Sequence, residues 1–372
     1  MPYFDRRRLQ IFPLAQRRHK IAITQIAVLP EATPPELPPV EAARVARTAA
    51  YMIAARRQGR PVMLTFGAHL IKNGLSPVII RLLEEGWVTH IATNGAGSIH
   101  DWEFAFLGRS GEDVRENVAH GQFGTWEETG RAINLAVAVG GTAGLGYGEA
   151  VGKFISEDGL LLPTPDALRT AIAEQATLAA PDETLGALAD LLYLVTNFAL
   201  PAGQLAMPHP FKTYSVQHAA YRLGVPFTVH PGVGYDIIYT HPLNCGGAIG
   251  RGAVRDFLKY AHSVSQLEGG VHITVGSAIM APMIFEKALS MANNQALAQQ
   301  GTALADYHLI VNDIQAGGDW DWSHGEPPIT HPAYYLRFCK TFYRMGGTLD
   351  YLCLDNRAFF LALLAALRKE TE

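Results

Sequence analysis

Short apolar runs of strand length recur along the chain, separated by stretches with helical spacing. They are PVMLTF (61–66), VTHIAT (88–93), VPFTV (225–229), HITVG (272–276), HLIVN (308–312) and LDYLCL (349–354). Between the first two lies SPVIIRLLEEG (76–86), with Ser76 placed as N-cap, Pro77 in the first turn and Gly86 as the stop. A strand, a helix and a second strand within so short a segment predict parallel pairing. A last helix is predicted at about 357–369. Apolar strands alternating with helices predict an α/β fold, a parallel sheet with helices on both faces.

Two stretches fall outside this alternation. LPEATPPELPP (29–39) is proline-rich and reads as an extended connector after a basic N-terminal arm, so residues 1–39 are set apart from a single domain over 40–372. Residues 127–200 read as a helical insertion, and GGTAGLGYGEA (140–150) inside it as a structural or flexible loop. There is no short internal repeat.

Composition narrows the function classes. Hydrophobic residues make up 48% of the 372 and charged residues 17%, which suits a large core or a core plus a subunit interface. A net charge of -4 gives no reason to expect nucleic acid as partner. Cys245, Cys339 and Cys353 form no CxxC and read as reduced cytosolic residues. No apolar run reaches the ~18 residues of a membrane span, so a soluble, cytoplasmic protein is expected.

Three motifs carry candidate chemistry. In ATNGAGSIHDWEFAFLG (92–108) a glycine turn is expected between strand and helix, where backbone N–H groups can approach a pyrophosphate. The third glycine of the dinucleotide fingerprint is missing, His100 standing in its place, so a cradle and a plain tight connection both remain open. Histidines flank aspartates at His100–Asp101 and, as His230 and His241, around Asp236; a metal-assisted hydrolase could be built from such parts, but no HExxH or HxH pair assigns a ligand. GGDWDWSHGEPP (317–328) interleaves tryptophans with Asp319 and Asp321, followed by His324 and Glu326. Acids alternating with indoles suit an organic cation; a loop burying its tryptophans at an interface is the other reading.

Several segments together resemble the deoxyhypusine synthase family, with its bacterial relatives of the homospermidine synthase type. They are HLIKNGLSPVIIRLLEEGWVTHIATNGAGSIHD (69–101), RENVAHGQFG (115–124), VGYDIIYTH (233–241), ADYHLIVNDIQAGGDWDWS (305–323) and YLCLDNRAFFLALLAAL (351–367). The resemblance implies a Rossmann-like sheet, a homotetramer, NAD and a polyamine substrate. Carried over by position, it places Gly67, Ala68, His69, Thr93, Asn94 and Gly95 beside NAD, Gly276 and Ser277 near its phosphates, and Asp313, Asp355 and Asn356 near its adenosine. Asp236 and Asp321 would face the amine. The family's imine-forming lysine falls at Tyr334, and the next lysine is Lys340; Lys72, near the cofactor segment, is new. A phenol forms no imine. Other family positions fall at Ile99, His100, Pro231 and Pro282. The expectation is a deoxyhypusine synthase-like protein, a transferase or oxidoreductase by type, that binds NAD and acts on an amine by altered chemistry. His324 or His100 would be the base, and Asp321, Asp236 and Glu326 would hold the cation. The alternatives are a non-catalytic oligomeric scaffold and a metal-assisted hydrolase.

Overall fold

The computed structural model describes residues 2–369. The chain forms two compact units, each assembled from separate segments: the first from the N-terminal residues through Gln25, Ser98–Arg222 and Thr228–Asp256, the second from Ile26–Gly97, Leu223–Phe227 and Phe257 onward.

Six strands form a parallel sheet: β1 (Val62–Phe66), β2 (His90–Asn94), β3 (Phe227–His230), β4 (Val271–Val275), β5 (His308–Asp313) and β6 (Thr348–Cys353). All six runs expected from the sequence are strands, with ends shifted by one or two residues. The spatial order is β3-β2-β1-β4-β5-β6. Leu64 on β1 is level with Ile91 on β2 and with Ile273 on β4. Every residue of β1 and β4 is buried, as strands covered on both faces require. The direction of winding reverses between β1 and β4, which makes the C-terminal ends of those two strands the switch point of a Rossmann-like, doubly wound sheet.

Several local expectations change. Ser76 is the first residue of helix Ser76–Glu84, not its cap; Leu75 holds the cap position, and the Ser76 hydroxyl is buried with no hydrogen-bond partner. Gly86, at φ +70°, does end that turn. The expected glycine turn after β2 does not exist, because helix Gly95–Leu107 starts on the residue after Asn94. The segment 140–150 is not a loop either. Helix Glu127–Thr142 runs into it, and helix Tyr147–Ser156 begins after a four-residue connection. Gly140 lies within the helix, where a Cβ would sit 2.3 Å from the Ala150 Cβ, so its small size serves close helix contact.

The rest of 127–200 contains helices Pro165–Ala176 and Glu183–Asn197, and Gly159–Leu162 pairs antiparallel with Gly203–Ala206. Part of the N-terminal segment is woven into the first unit. Ile21–Ala22 pairs antiparallel with Arg109–Ser110, and the buried Arg17 guanidinium meets the buried Glu103 carboxylate at 2.6 Å. Among the described residues, no helix is long and apolar enough to cross a membrane.

Candidate functional site

The second unit gathers the residues assigned to a cofactor at the C-terminal ends of five neighbouring strands. β1 ends at Phe66 and β4 at Val275; the Gly67 N–H donates to the Val275 carbonyl at 3.1 Å. A Cβ on Gly67 would lie 2.2 Å from the Gly276 carbonyl oxygen, so backbone meets backbone at the switch point with no side chain between. Gly276 takes φ +56°, which turns the chain away from the sheet. The Ser277 hydroxyl then accepts the Ala281 N–H at 3.2 Å at the start of helix Met280–Ala298. After Gly67, Ala68 caps the short helix His69–Lys72.

At the end of β2, the buried Thr93 hydroxyl donates to the Phe66 carbonyl at 2.9 Å, which ties β2 to β1. The Asn94 side-chain oxygen accepts the Gly97 N–H at 2.8 Å, and so caps the helix that opens at Gly95. A Cβ on Gly97 would stand 2.0 Å from the Thr93 hydroxyl oxygen, so this glycine lets the helix press onto the strand. On β5, the fully buried Asn312 donates through Nδ2 to the Leu354 carbonyl and the Asn356 side chain, each at 3.2 Å, while its Oδ1 has no partner. Asp313 and Asp355 each accept a backbone N–H two residues on, from Gln315 and Arg357.

The acid-and-indole loop lies in the same unit but lines a different cavity. A cleft of ≈ 850 Å³ runs along the outer strand β6 (Thr348 to Tyr351), with Arg44, Arg47 and Tyr51 of helix Pro39–Arg57 on one wall and Asp319–Ser323 on another. None of the switch-point residues lines it. Asp321 caps a single turn by accepting the Ser323 N–H at 2.9 Å, and hydrogen bonding from Ser323, its side chain first and its backbone second, holds the carboxyl below the usual range. His324 stands 3.8 Å from Asp321, with both side chains exposed. Glu326 is paired with the Arg344 guanidinium at 2.5 and 3.0 Å and not with His324. Trp322 is buried in the hydrophobic core, and the Trp320 indole donates to the Gly325 carbonyl. The Lys340 ammonium rests 3.5 Å from the centre of the Tyr334 ring.

In the first unit, Asp236 is 6% exposed and accepts the Gly232 N–H at 2.8 Å; burial pushes its carboxyl up to about 6. Its charge adds to burial in raising the Tyr239 phenol to about 12, and the Tyr239 hydroxyl is buried without a partner. Burial holds His230 down to about 3. His100 and Asp101, adjacent in sequence, serve separate networks. The His100 ring meets the Ser110 hydroxyl at 2.6 Å, which in turn donates to Glu103. Asp101 is fully buried and accepts from Ser215, Val216 and Gln217, at the start of helix Val216–Leu223. His241 meets Glu127 at 3.1 Å. Among the described residues, no three His, Cys, Asp or Glu side chains are grouped to hold a metal ion.

The sequence marks Gly97 as part of a glycine turn after β2, whereas its role in the structure is helix-to-strand packing. Asn312 stands out only as a match to the family's segment; nothing in the sequence marks its orphaned oxygen.

No family model and no curated protein matches the chain. Solved structures match it weakly. ArgZ, an arginine dihydrolase from the ornithine-ammonia cycle in cyanobacteria, is 12% identical at a TM-score of 0.41 over 88% of this chain and 33% of its own. A conserved LOR/SDH protein from Methanococcus maripaludis S2 is 13% identical at 0.44 over 93% and 74%. AgrE, in a ternary complex with ornithine and NAD+, is 14% identical at 0.42 over 90% and 34%. The chain thus spans about a third of the length of ArgZ and of AgrE. None of the three is a deoxyhypusine synthase. At such scores they add nothing to the fold already described.

Proposed function

We propose that the second unit binds NAD across the ends of β1 and β4, and that the protein uses it to oxidise a carbon bearing an amine or a hydroxyl. One observation carries this reading: the strand order reverses where Gly67 and Gly276 meet without side chains. In sheets wound this way, ligands bind in that crevice. The residues fit the group. Gly67 lets the ends of β1 and β4 close on each other, Gly276 leaves backbone open to a pyrophosphate, and the orphaned Asn312 oxygen calls for a donor such as a ribose hydroxyl. Gly67, Ala68, His69, Gly276 and Ser277 would border the phosphates, with Asp313, Asp355 and Asn356 toward β5 and β6. The sequence resemblance to deoxyhypusine synthases supports the same cofactor.

When bound, the nicotinamide supplies a hydride acceptor. The chain's own residues would hold the substrate and move its proton. In the first unit, burial pushes the Asp236 carboxyl up to about 6, a value that suits proton transfer. Asp321 is the carboxylate of the acid-and-indole loop that lacks a guanidinium partner, which suits it to an amine bound in the cleft along β6, apart from the switch point; Glu326 is already neutralised. Lysine-imine transfer is not part of this proposal, since Tyr334 stands at the lysine's position and Lys340 packs on its ring.

The test is mass spectrometry of ligand released from denatured protein, with calorimetry of the emptied protein against NAD. Saturable binding is expected. An empty site as purified and no heat at about 1 mM NAD would overturn the cofactor assignment and leave an oligomeric scaffold as the better reading.

A further inference from the structure

The end of β2 bears on which dinucleotide the crevice takes. In a sheet of this order, an acidic residue past β2 binds the ribose 2′-hydroxyl of NAD and repels the 2′-phosphate of NADP. Here β2 ends at Asn94, and from Val88 to His100 the chain has no acid. The next two acids, Asp101 and Glu103, are buried and committed, Asp101 to the donors of 215–217 and Glu103 to Arg17. The acids at this end of the sheet, Asp313 and Asp355, stand at β5 and β6, on the far side of β1 and β4.

What Asn94 offers is set by its cap. Its Oδ1 is taken by the Gly97 N–H, so its amide nitrogen, a donor, is the polar group left for a ligand. One cation stands at the end of β1, beside β2, and a second reaches the same turn from beyond β6. The Lys72 side chain, in the turn after β1, has no ion-pair or hydrogen-bond partner among the described residues, its backbone N–H being held by the Ala68 carbonyl. Arg357, past β6, donates through Nε to the carbonyl of Asn73, the residue next to Lys72, and keeps the rest of its guanidinium. Donors and cations with no carboxylate at β2 suit a dianionic phosphate.

We infer that the crevice does not discriminate against a 2′-phosphate and takes NADP as readily as NAD. This rests on the dinucleotide reading above. Calorimetry of the full chain with each dinucleotide tests it, through binding and not turnover. The two dissociation constants should agree within roughly tenfold. Asn94→Asp keeps the cap, because aspartate caps as well as asparagine, but places a charge against the 2′-phosphate. It should weaken NADP by about tenfold or more and leave NAD equal or tighter. Lys72→Ala should cost NADP more than NAD. Circular dichroism and a melting curve for each variant separate these effects from misfolding. NAD binding with NADP more than about a hundredfold weaker would overturn the inference and leave the cofactor assignment standing. So would an Asn94→Asp variant that folds and treats both ligands as the native chain does. If neither dinucleotide binds, the cofactor assignment falls and this inference with it.

Discussion

Asp236 sets the residue scale. Its carboxyl is buried against one backbone donor, and its pKa rises from an ordinary 3.8 to about 6. The folded state therefore binds the proton more tightly than the unfolded chain does. The associated stability is fully present below 3.8 and is lost as pH rises through 6. Asp236→Asn keeps the shape and removes the titration, so its stability relative to the native chain should improve from about pH 4 to about pH 8. The ceiling on that change is about 3 kcal/mol. Urea unfolding of both proteins at the two pH values checks it; a stability difference that does not move with pH would show the carboxyl is not perturbed. At this scale the sequence was only partly legible. It marked Asp236 as unusual through its flanking histidines. It also suggested a His100–Asp101 pair, which folding separates, because consecutive helical side chains point in different directions.

Elements were more legible than residues. All six sheet strands could be read from apolar runs, because strands buried on both faces need β-branched and aliphatic residues throughout. The strand-to-helix joints could not be read, since glycine marks both turns and close packing. Gly97 belongs to the second kind, and it yields a prediction. Gly97→Ala drives a methyl into the Thr93 hydroxyl and should cost about 1–3 kcal/mol. Thr93→Ala alone loses the bond to the Phe66 carbonyl, at about 1 kcal/mol. The double variant should be more stable than the sum of the two losses implies, by denaturant unfolding. Strict additivity would mean the helix is not pressed against β2. Gly140 was misread for the same reason: its partner, Ala150, is ten residues away and across a turn.

For the whole molecule, strand alternation foretold the sheet and its class, but not the division of the chain into two interleaved units. Contacts between distant segments decide that, and they leave no periodic trace. The apolar composition and the exposed Ile279 and Leu297 at opposite ends of one helix motivate a homo-oligomer, a tetramer by the family resemblance. Light scattering at micromolar concentration should give a multiple of 40.4 kDa; a monomer would sink the idea. The interleaving also bears on synthesis. The first unit is incomplete until Asp256 has emerged, since its carboxylate accepts the N–H groups of Gly148 and Val229. β1 leaves the ribosome long before β4, its central neighbour, so one edge of the future sheet waits unpaired through most of translation. Neither unit can be expressed by cutting the gene at a single point, and this chain should lean on chaperones more than a protein of its size whose domains follow one another in order.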